Sequence, residues 1–161
     1  MRDAWNKAWD INVAGTQVMT HTFVPLLLKS SDPRLMFIAS GTSTLTGTED
    51  TEFRLNVAPV AGWPKPAGFS VASYRSSKTG MNMMMREWAR TLRNDGVKVF
   101  CISPGFLATG LGGVPGGRET LLKMGAEEPY LGGEFIRDVV EGKRDQDAGK
   151  VIGRGDKVQP W

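Results

Sequence analysis

Two short, uninterrupted apolar runs, separated by a long helical pattern, constrain the fold of this chain most. RLMFIAS at residues 34–40 and VKVFCIS at 97–103 show no alternation of apolar and polar positions, which is typical of strands covered on both faces. Residues 71–94 carry apolar side chains at helical spacing, and Gly96 provides a stop signal. A strand, a helix and a second strand in this order predict a βαβ unit, a parallel sheet and the α/β fold class.

The rest of the chain continues the alternation of helices and strands. Apolar positions recur at helical spacing up to Pro25, which should bend or shorten the last turns of its helix. The 161 residues with 40% hydrophobic content suffice for one core, so we expect residues 1–161 to form a single domain. The further predicted segments are helices at 4–29, 118–124 and 132–143 and a short strand, KVIGR, at 150–154.

Composition argues against several classes of protein. Lys and Arg exceed Asp and Glu by only 20 to 17, and the basic residues are scattered, whereas phosphate binding needs clustered positive charge. The single cysteine, Cys101, lies in an apolar run and excludes an internal disulfide, as suits a reducing compartment. The single histidine, His21, has no nucleophile motif or metal-binding cluster near it. We therefore expect no nucleic-acid partner, no metal site and no Ser-His-Asp triad.

The sequence also predicts a cytoplasmic protein without a membrane segment. The first residues, MRDAWNKAWDIN, lack the apolar stretch of a signal peptide. The runs FVPLLL and LMFIA are too short to cross a bilayer.

The segment SYRSSK, residues 73–78, pairs a tyrosine with a lysine at a chemically useful spacing. Tyr74 and Lys78 lie four residues apart and would share one face of a helix. A free tyrosine has a pKa near 10, and a neighbouring cation favours the phenolate, so such a pair can exchange a proton with an alcohol or ketone oxygen. The same spacing also occurs on ordinary helices, where it is a solvated surface contact.

The ends of the two predicted strands provide further polar groups. Ser40 follows the first strand, and Ser103, Pro104 and Gly105 follow the second. Ligands of open parallel sheets collect outside the carboxyl ends of the strands. We therefore expect these residues and the first turn of the helix that carries Tyr74 to converge.

A segment of about thirty residues between the first strand and this helix is unusually long for a connection inside one domain. It is rich in Thr, Gly and Pro, and segments of this kind are functional lids or disordered. We expect it, with residues 106–122, to line a rather apolar substrate pocket through Phe53, Trp63 and Phe69.

Four motifs in order resemble the C-terminal half of a short-chain dehydrogenase/reductase: WDINVAGT, FIAS, SYRSSK and VFCISPGFLAT. The resemblance covers nearly the whole chain. It implies part of a Rossmann-like, doubly wound parallel sheet that binds NAD(P). It also implies an oxidoreductase that transfers a hydride between a carbonyl compound or secondary alcohol and NADP(H) or NAD(H), with NADP slightly preferred.

The resemblance also implies roles for individual residues. Tyr74 resembles the proton donor, and Lys78 resembles the lysine that activates the tyrosine and holds the nicotinamide ribose hydroxyls. Ser40 resembles the serine that binds the substrate oxygen, with Thr42 or Ser43 as alternatives.

Two further motifs complete the implied site. Asn12, in DINVAG, resembles the asparagine that holds a water for proton relay; the alternative is a helix amide bonded to backbone. Pro104, Gly105 and Thr109, in SPGFLAT, resemble the turn that packs on the nicotinamide side of the cofactor.

The first half of the family pattern has no counterpart in this sequence. A strand followed by a glycine-rich turn, which would bind the pyrophosphate, is absent, and GLGGVPGG at 110–117 does not join a strand to a helix. We read these glycines as a mobile substrate loop. The N-terminal half of the fold is thus expected to be missing, which would expose the edge of the first strand and weaken dinucleotide binding.

Two hypotheses follow. The chain is an oxidoreductase, or the catalytic half of one, with an expected homo-oligomeric state. Alternatively, it is a truncated, non-catalytic relative that acts as a binding or dimerisation module through its first helix and the apolar side chains of the helix that carries Tyr74. Met81, Met83, Met84 and Met85 fit a core or a subunit interface better than a cofactor site.

Overall fold

The two apolar runs form neighbouring parallel strands, as the sequence predicts. The computed structural model describes residues 1–66 and 70–161. Strand β1 pairs with β2 in a register that places Arg34 opposite Lys98 and Ile38 opposite Ile102. The sheet has the order β1-β2-β3-β4, in which the first three strands are parallel and β4 is antiparallel to β3. The strands are β1 Arg34–Ile38, β2 Lys98–Ser103, β3 Val151–Gly153 and β4 Val158–Gln159.

The predicted helices are present with shifted bounds. The first is interrupted by a π-helical turn, Asp10–Gly15, and its second part ends soon after Pro25. The last helix begins earlier than predicted, at Pro129, because the fixed φ of proline suits the first turn of a helix. The helices are α1 Arg2–Trp9, α2 Thr16–Leu27, α3 Ala72–Thr91, α4 Gly117–Lys123 and α5 Pro129–Val140.

Strand β2 is buried on both faces, which explains its uninterrupted apolar sequence. Val99 and Cys101 belong to a core cluster that includes Met81 and Met85 of α3. Cys101 is completely buried, and burial raises the pKa of its thiol to about 12, so it behaves as a small apolar core residue.

The other face of β2 packs against a different helix. Phe100 and Ile102 form a second cluster with Phe135 and Val139 of α5 and Ile152 of β3. Helices therefore cover both faces of the sheet, which is the doubly wound arrangement. The α/β fold class predicted from the sequence is confirmed.

The chain leaves α3 through the predicted glycine. Gly96 adopts the left-handed conformation with φ of 70°, which other residues rarely adopt at the end of a helix. Leu92, four residues before it, is buried in the core beside Met85. The turn therefore delivers the chain directly to the start of β2.

A cluster of ion pairs joins the amino ends of the two central strands. Arg34 of β1 and Lys98 of β2 both pair with Asp145, at 2.8 Å in each case. Both also pair with Asp32. These ion pairs lie at the amino ends of the strands, opposite the carboxyl ends at which parallel sheets bind ligands.

Apolar side chains remain exposed along the first helices and on β1. In the described residues β1 is the outer strand of the sheet, and Ile38 is 44% exposed. The exposed apolar residues of α2 and the turn before it are Ile11, Val18, Met19, Phe23 and Leu26. Within the described residues, β1 is thus an open edge of the sheet, as expected.

Candidate active site at the carboxyl edge of the sheet

The ends of β1 and β2 lie close together, as the parallel register requires. Ser40 lies two residues after the end of β1, and Ser103 is the last residue of β2. A methyl group on Gly41 would lie 3.5 Å from Oγ of Ser103. Gly41, in the turn that carries Ser40, therefore lies next to Ser103 at the carboxyl end of β2.

Tyr74 and Lys78 lie at the start of α3, one helical turn apart. Tyr74 is half-buried and Lys78 is buried, with 9% of its surface exposed. Nζ of Lys78 donates a hydrogen bond of 2.7 Å to the carbonyl oxygen of Ile38. The same nitrogen lies 5.9 Å from the centroid of the Tyr74 ring. The pair is thus anchored to the carboxyl end of β1.

The ammonium group of Lys78 is held in an unfavourable environment. Burial lowers the pKa of Lys78, and the neighbouring Cys101 opposes this shift weakly. Nζ of Lys78 makes one short hydrogen bond, to the carbonyl oxygen of Ile38, and one contact of 3.9 Å to the sulfur of Met81. A buried cation with so few partners contributes little to folding.

We expect Lys78→Met to change the free energy of unfolding at pH 7 by no more than about 1 kcal/mol, because a lost hydrogen bond and a removed buried charge oppose each other. The folded-state pKa of Lys78 is lowered, so wild-type stability should rise with pH as the pH passes from that lowered pKa towards the unfolded value near 10.4. This rise should be absent in Lys78→Met. Urea unfolding at several pH values measures both effects.

The exposed Lys29→Met serves as the control, because Lys29 lies on the surface after α2. A loss of stability in Lys78→Met far beyond that of Lys29→Met would contradict this account of Lys78.

Asn12 reaches the Tyr74 helix through a serine. It lies in the π-helical turn between α1 and α2, and Nδ2 donates to Oγ of Ser77 at 2.9 Å. Ser77 in turn donates to the carbonyl oxygen of Tyr74, also at 2.9 Å. π-Helical turns often occur at functional sites. The structure brings Asn12 beside Ser77, the residue that precedes Lys78.

The turn after β1 contains the three candidate hydroxyls. Oγ of Ser40 lies 3.0 Å from Oγ1 of Thr42 and accepts a hydrogen bond of 3.2 Å from its amide. Ser43 is 1% exposed, and its hydroxyl donates to the carbonyl oxygen of Ser40 at 2.7 Å. Ser40 and Thr42 are only partly buried. A substrate would therefore reach Ser40 or Thr42 more easily than Ser43.

Arg75, next to Tyr74, is a residue that the sequence reasoning did not single out. Its guanidinium donates to the carbonyl oxygens of Thr42 at 3.1 Å and Leu55 at 3.3 Å. It also donates to Oδ1 of Asn56 at 2.9 Å. Arg75 thus fastens the long segment after β1 to the turn of Ser40 and to α3. The only sequence signal was an arginine directly beside the proposed catalytic tyrosine.

The turn after β2 is shaped by a glycine and an ion pair. Gly105 has φ of 106°, and a side chain there would lie 3.1 Å from the guanidinium of Arg154, so the position suits only glycine. Arg154 pairs with Glu127. Pro104 is half-buried beside it.

Beyond this turn, the chain is hydrogen-bonded to the segment around Glu127 by an isolated β-bridge. The amide of Ala108 donates to the carbonyl oxygen of Glu127 at 2.8 Å. Thr109 is exposed, and its Oγ1 accepts from the amide of Leu111 at 3.3 Å. The predicted residues Pro104, Gly105 and Thr109 therefore form one continuous segment at the carboxyl edge.

The two segments expected to line the substrate pocket meet at one point. The guanidinium carbon of Arg54 lies 5.8 Å from the centroid of the Phe106 ring, so the long segment after β1 meets the segment after β2. Phe53 and Trp63 are 40% and 85% exposed. Phe69 lies outside the described residues.

Two general findings accompany this site. Residues 1–66 and 70–161 include no helix with the length and apolar character needed to cross a bilayer. Within the same ranges, no three side chains of His, Cys, Asp or Glu are grouped as a metal site would require.

Comparison with known proteins finds similarity to short-chain dehydrogenases. The family model for short chain dehydrogenases matches residues 55–114. The short-chain dehydrogenase/reductase tropE of Talaromyces stipitatus is 48% identical over 165 residues, which cover 100% of this chain and 60% of that protein. The short-chain dehydrogenase/reductase eupG of Phoma sp. is 53% identical over 167 residues, which cover 99% of this chain and 59% of that protein.

Solved structures show the same fold. A carbonyl reductase from chicken fatty liver, bound to NADPH, matches with a TM-score of 0.67 and 18% identity, covering 100% of this chain and 58% of that one. The carbonyl reductase Sniffer of D. melanogaster matches with a TM-score of 0.63 and 13% identity, covering 100% of this chain and 57% of that one.

The chain is thus similar along its whole length to short-chain dehydrogenase/reductases, and the family model matches its central residues. It spans about 60% of the length of the curated relatives it matches, which agrees with a resemblance to one half of the family pattern.

Proposed function

We propose that this chain carries the proton-transfer part of a hydride-transfer site for a carbonyl compound or secondary alcohol. The observation that carries the proposal is the position of Lys78. Its Nζ is fixed at 2.7 Å from the carbonyl oxygen of Ile38 and lies 5.9 Å from the Tyr74 ring centroid, while Ser40 follows two residues after Ile38. A buried ammonium group that adds little to the stability of the fold is typical of a residue with a catalytic role.

Each of the other residues has a place in this proposal. Tyr74 exchanges a proton with the substrate oxygen, and Ser40, supported by Thr42 at 3.0 Å, donates a hydrogen bond to the same oxygen. Asn12 holds the start of the Tyr74 helix through Ser77, and by resemblance it would also bind the water of the proton relay.

When bound, the cofactor would be NADP or NAD, with NADP slightly preferred, and it would supply or accept the hydride. Lys78 and Tyr74 are the residues that would contact its nicotinamide ribose. Pro104, Gly105 and Thr109 would lie on the side of the nicotinamide ring. The NADPH-bound carbonyl reductase of chicken fatty liver, which shares the fold, supports NADPH as the first cofactor to test.

We further propose that residues 1–161 form one partial NAD(P)-binding domain in the cytoplasm, and that it self-associates. The apolar side chains exposed on α2, such as Val18, Phe23 and Leu26, support self-association. The same surface supports the alternative function, a non-catalytic binding or dimerisation module.

A cofactor titration separates the two functions. We expect the tryptophan fluorescence of the chain to change saturably with NADPH, and more weakly with NADH. We also expect deuterium to pass from 4-deuterated NADPH to the carbon of an aryl or alkyl ketone in a test panel. Absence of saturable binding by either cofactor would reject the enzyme for this chain and favour the binding module.

A further inference from the structure

The hydroxyl of Ser43 lies at the centre of a buried hydrogen-bond network. Besides its bond to the carbonyl oxygen of Ser40, it accepts from Nδ2 of Asn82 at 3.0 Å and from Nε2 of Gln159 at 3.2 Å. A hydroxyl has one hydrogen to donate and two lone pairs, so the bonding capacity of Ser43 is used completely. Ser43 is therefore a structural centre of the turn that carries Ser40.

The C-terminal segment holds this turn directly. Nε2 of Gln159, in β4, also donates to the carbonyl oxygen of Ser40 at 3.3 Å. The main-chain oxygen of Trp161 accepts from the Thr46 amide at 2.8 Å, and from the hydroxyls of Thr46 at 2.7 Å and Thr44 at 3.2 Å. Residues 159–161 thus bind both ends of the stretch 40–46.

The position of the C-terminal segment is itself fixed by the sheet and by α3. Gln159 lies opposite Val151 in the antiparallel pair of β3 and β4. The guanidinium carbon of Arg86, on α3, lies 5.7 Å from the centroid of the Trp161 ring, a cation–π distance.

Helix α3 holds the same turn from its own side. Thr79 donates to the carbonyl oxygen of Ser43 at 2.8 Å, and Asn82 donates to it at 3.3 Å. Tyr74 and Lys78 lie on this helix. The turn is therefore held between the helix of the proposed proton donor and the C-terminal segment.

We propose that residues 159–161 form a C-terminal clamp and that Gln159 is a positioning residue, which sets Ser40 relative to Tyr74. The inference rests on the proposed function for the role of Ser40. It assigns the alignment of Ser40 with Tyr74 to a segment that is far away in sequence. Ser40 needs such support because its own side chain bonds within the turn, to Thr42. A long segment follows this turn, and catalytic groups on loops must be fixed by surrounding contacts.

The test compares Gln159→Leu with Val158→Thr in the full chain. Leu keeps much of the size of Gln and removes the amide donor, whereas Val158 is 45% exposed on the neighbouring position of β4 and Thr keeps its shape. Hydrogen exchange is followed by mass spectrometry in peptides that cover residues 40–46. We expect Gln159→Leu to speed exchange there by about threefold to tenfold, because the two long hydrogen bonds that it removes should together be worth about as much as one ordinary hydrogen bond. Exchange in α3 and β2, and exchange in Val158→Thr, should stay unchanged.

Steady-state kinetics distinguishes positioning from a general loss of structure, because only positioning should change kcat without changing the KM for NADPH. In Gln159→Leu, kcat should fall by about threefold to tenfold, while the KM for NADPH stays that of the wild type. Unchanged exchange over residues 40–46 would overturn the clamp, and faster exchange with an unchanged kcat would overturn positioning by Gln159. The exchange measurement needs no turnover, so failure of the clamp is distinguishable from failure of the proposed enzyme.

Discussion

Tyr74→Phe should lower turnover by about 10²–10⁴-fold, because it removes only the hydroxyl that would exchange a proton with the substrate oxygen. The ring remains in place, so the contact with Lys78 at 5.9 Å from the ring centroid is kept. The Kd for NADPH should stay within a factor of about two to three, well under 1 kcal/mol. Turnover is measured by loss of NADPH absorbance, and binding by fluorescence titration.

The chain offers a matched control. It contains two tyrosines, and Tyr130, on α5, is 63% exposed. Tyr130→Phe makes the same chemical change away from the site and should leave both turnover and binding unchanged. If Tyr74→Phe kept a tenth or more of the wild-type turnover, the role assigned to Tyr74 would be wrong.

The central part of the fold could be predicted from local sequence. Strand β2 is buried on both faces and β1 is mostly half-buried, yet both have a continuous apolar run that can be recognised without knowing the neighbours. Helix α3 was predictable because Met81 and Met85 repeat at the helical period and Gly96 ends the pattern. These elements fix the parallel register and hence the edge at which the site lies.

The C-terminal contribution could not be predicted in this way. Strand β4 has only two residues, Val158 and Gln159, too few to show a period of two. The importance of Gln159 comes from bonds to Ser40 and Ser43, more than a hundred positions away in the chain. Contacts of this kind depend on the tertiary structure alone.

The candidate site was predictable as a set of residues but not as a set of contacts. The spacing of Tyr74 and Lys78 correctly places them on one helical face, and the order of motifs correctly places Ser40 and Pro104 at one sheet edge. The bond of Lys78 to the carbonyl oxygen of Ile38 could not be read from spacing, because it joins a helix to a strand. The catalytic roles themselves stay predictions.

Arg144→Met should be the most destabilising of these substitutions, lowering the free energy of unfolding by about 3–5 kcal/mol. Arg144 is 4% exposed, and its guanidinium donates to Asp147 at 2.9 Å. It also donates to the carbonyl oxygens of Gly153 at 3.0 Å and Lys157 at 3.2 Å. Met fills part of the space but leaves these acceptors, including a buried carboxylate, without their donor.

The exposed pair of Arg118 and Glu128, at 2.6 Å, provides the control. Arg118 has 59% of its side chain exposed, so Arg118→Met should cost no more than about 1 kcal/mol. Urea unfolding at pH 7 measures both variants. Arg144→Lys, which keeps the charge, gives a measurable intermediate loss if Arg144→Met does not fold, and equal losses for Arg144→Met and Arg118→Met would contradict the argument.

The pH dependence of stability identifies the partner of Arg144. Burial alone would raise the pKa of Asp147, but hydrogen bonds from Arg144 and Lys150 outweigh it, so the pKa is lowered. A carboxylate with a lowered folded-state pKa stabilises the fold above its unfolded pKa, near 3.9, and loses this contribution as the pH falls through the lowered value. In Arg144→Met only Lys150, with 47% of its side chain exposed, still lowers that pKa. Its stability should therefore fall less steeply than that of the wild type below about pH 4, and parallel curves would show that Asp147 does not depend on Arg144.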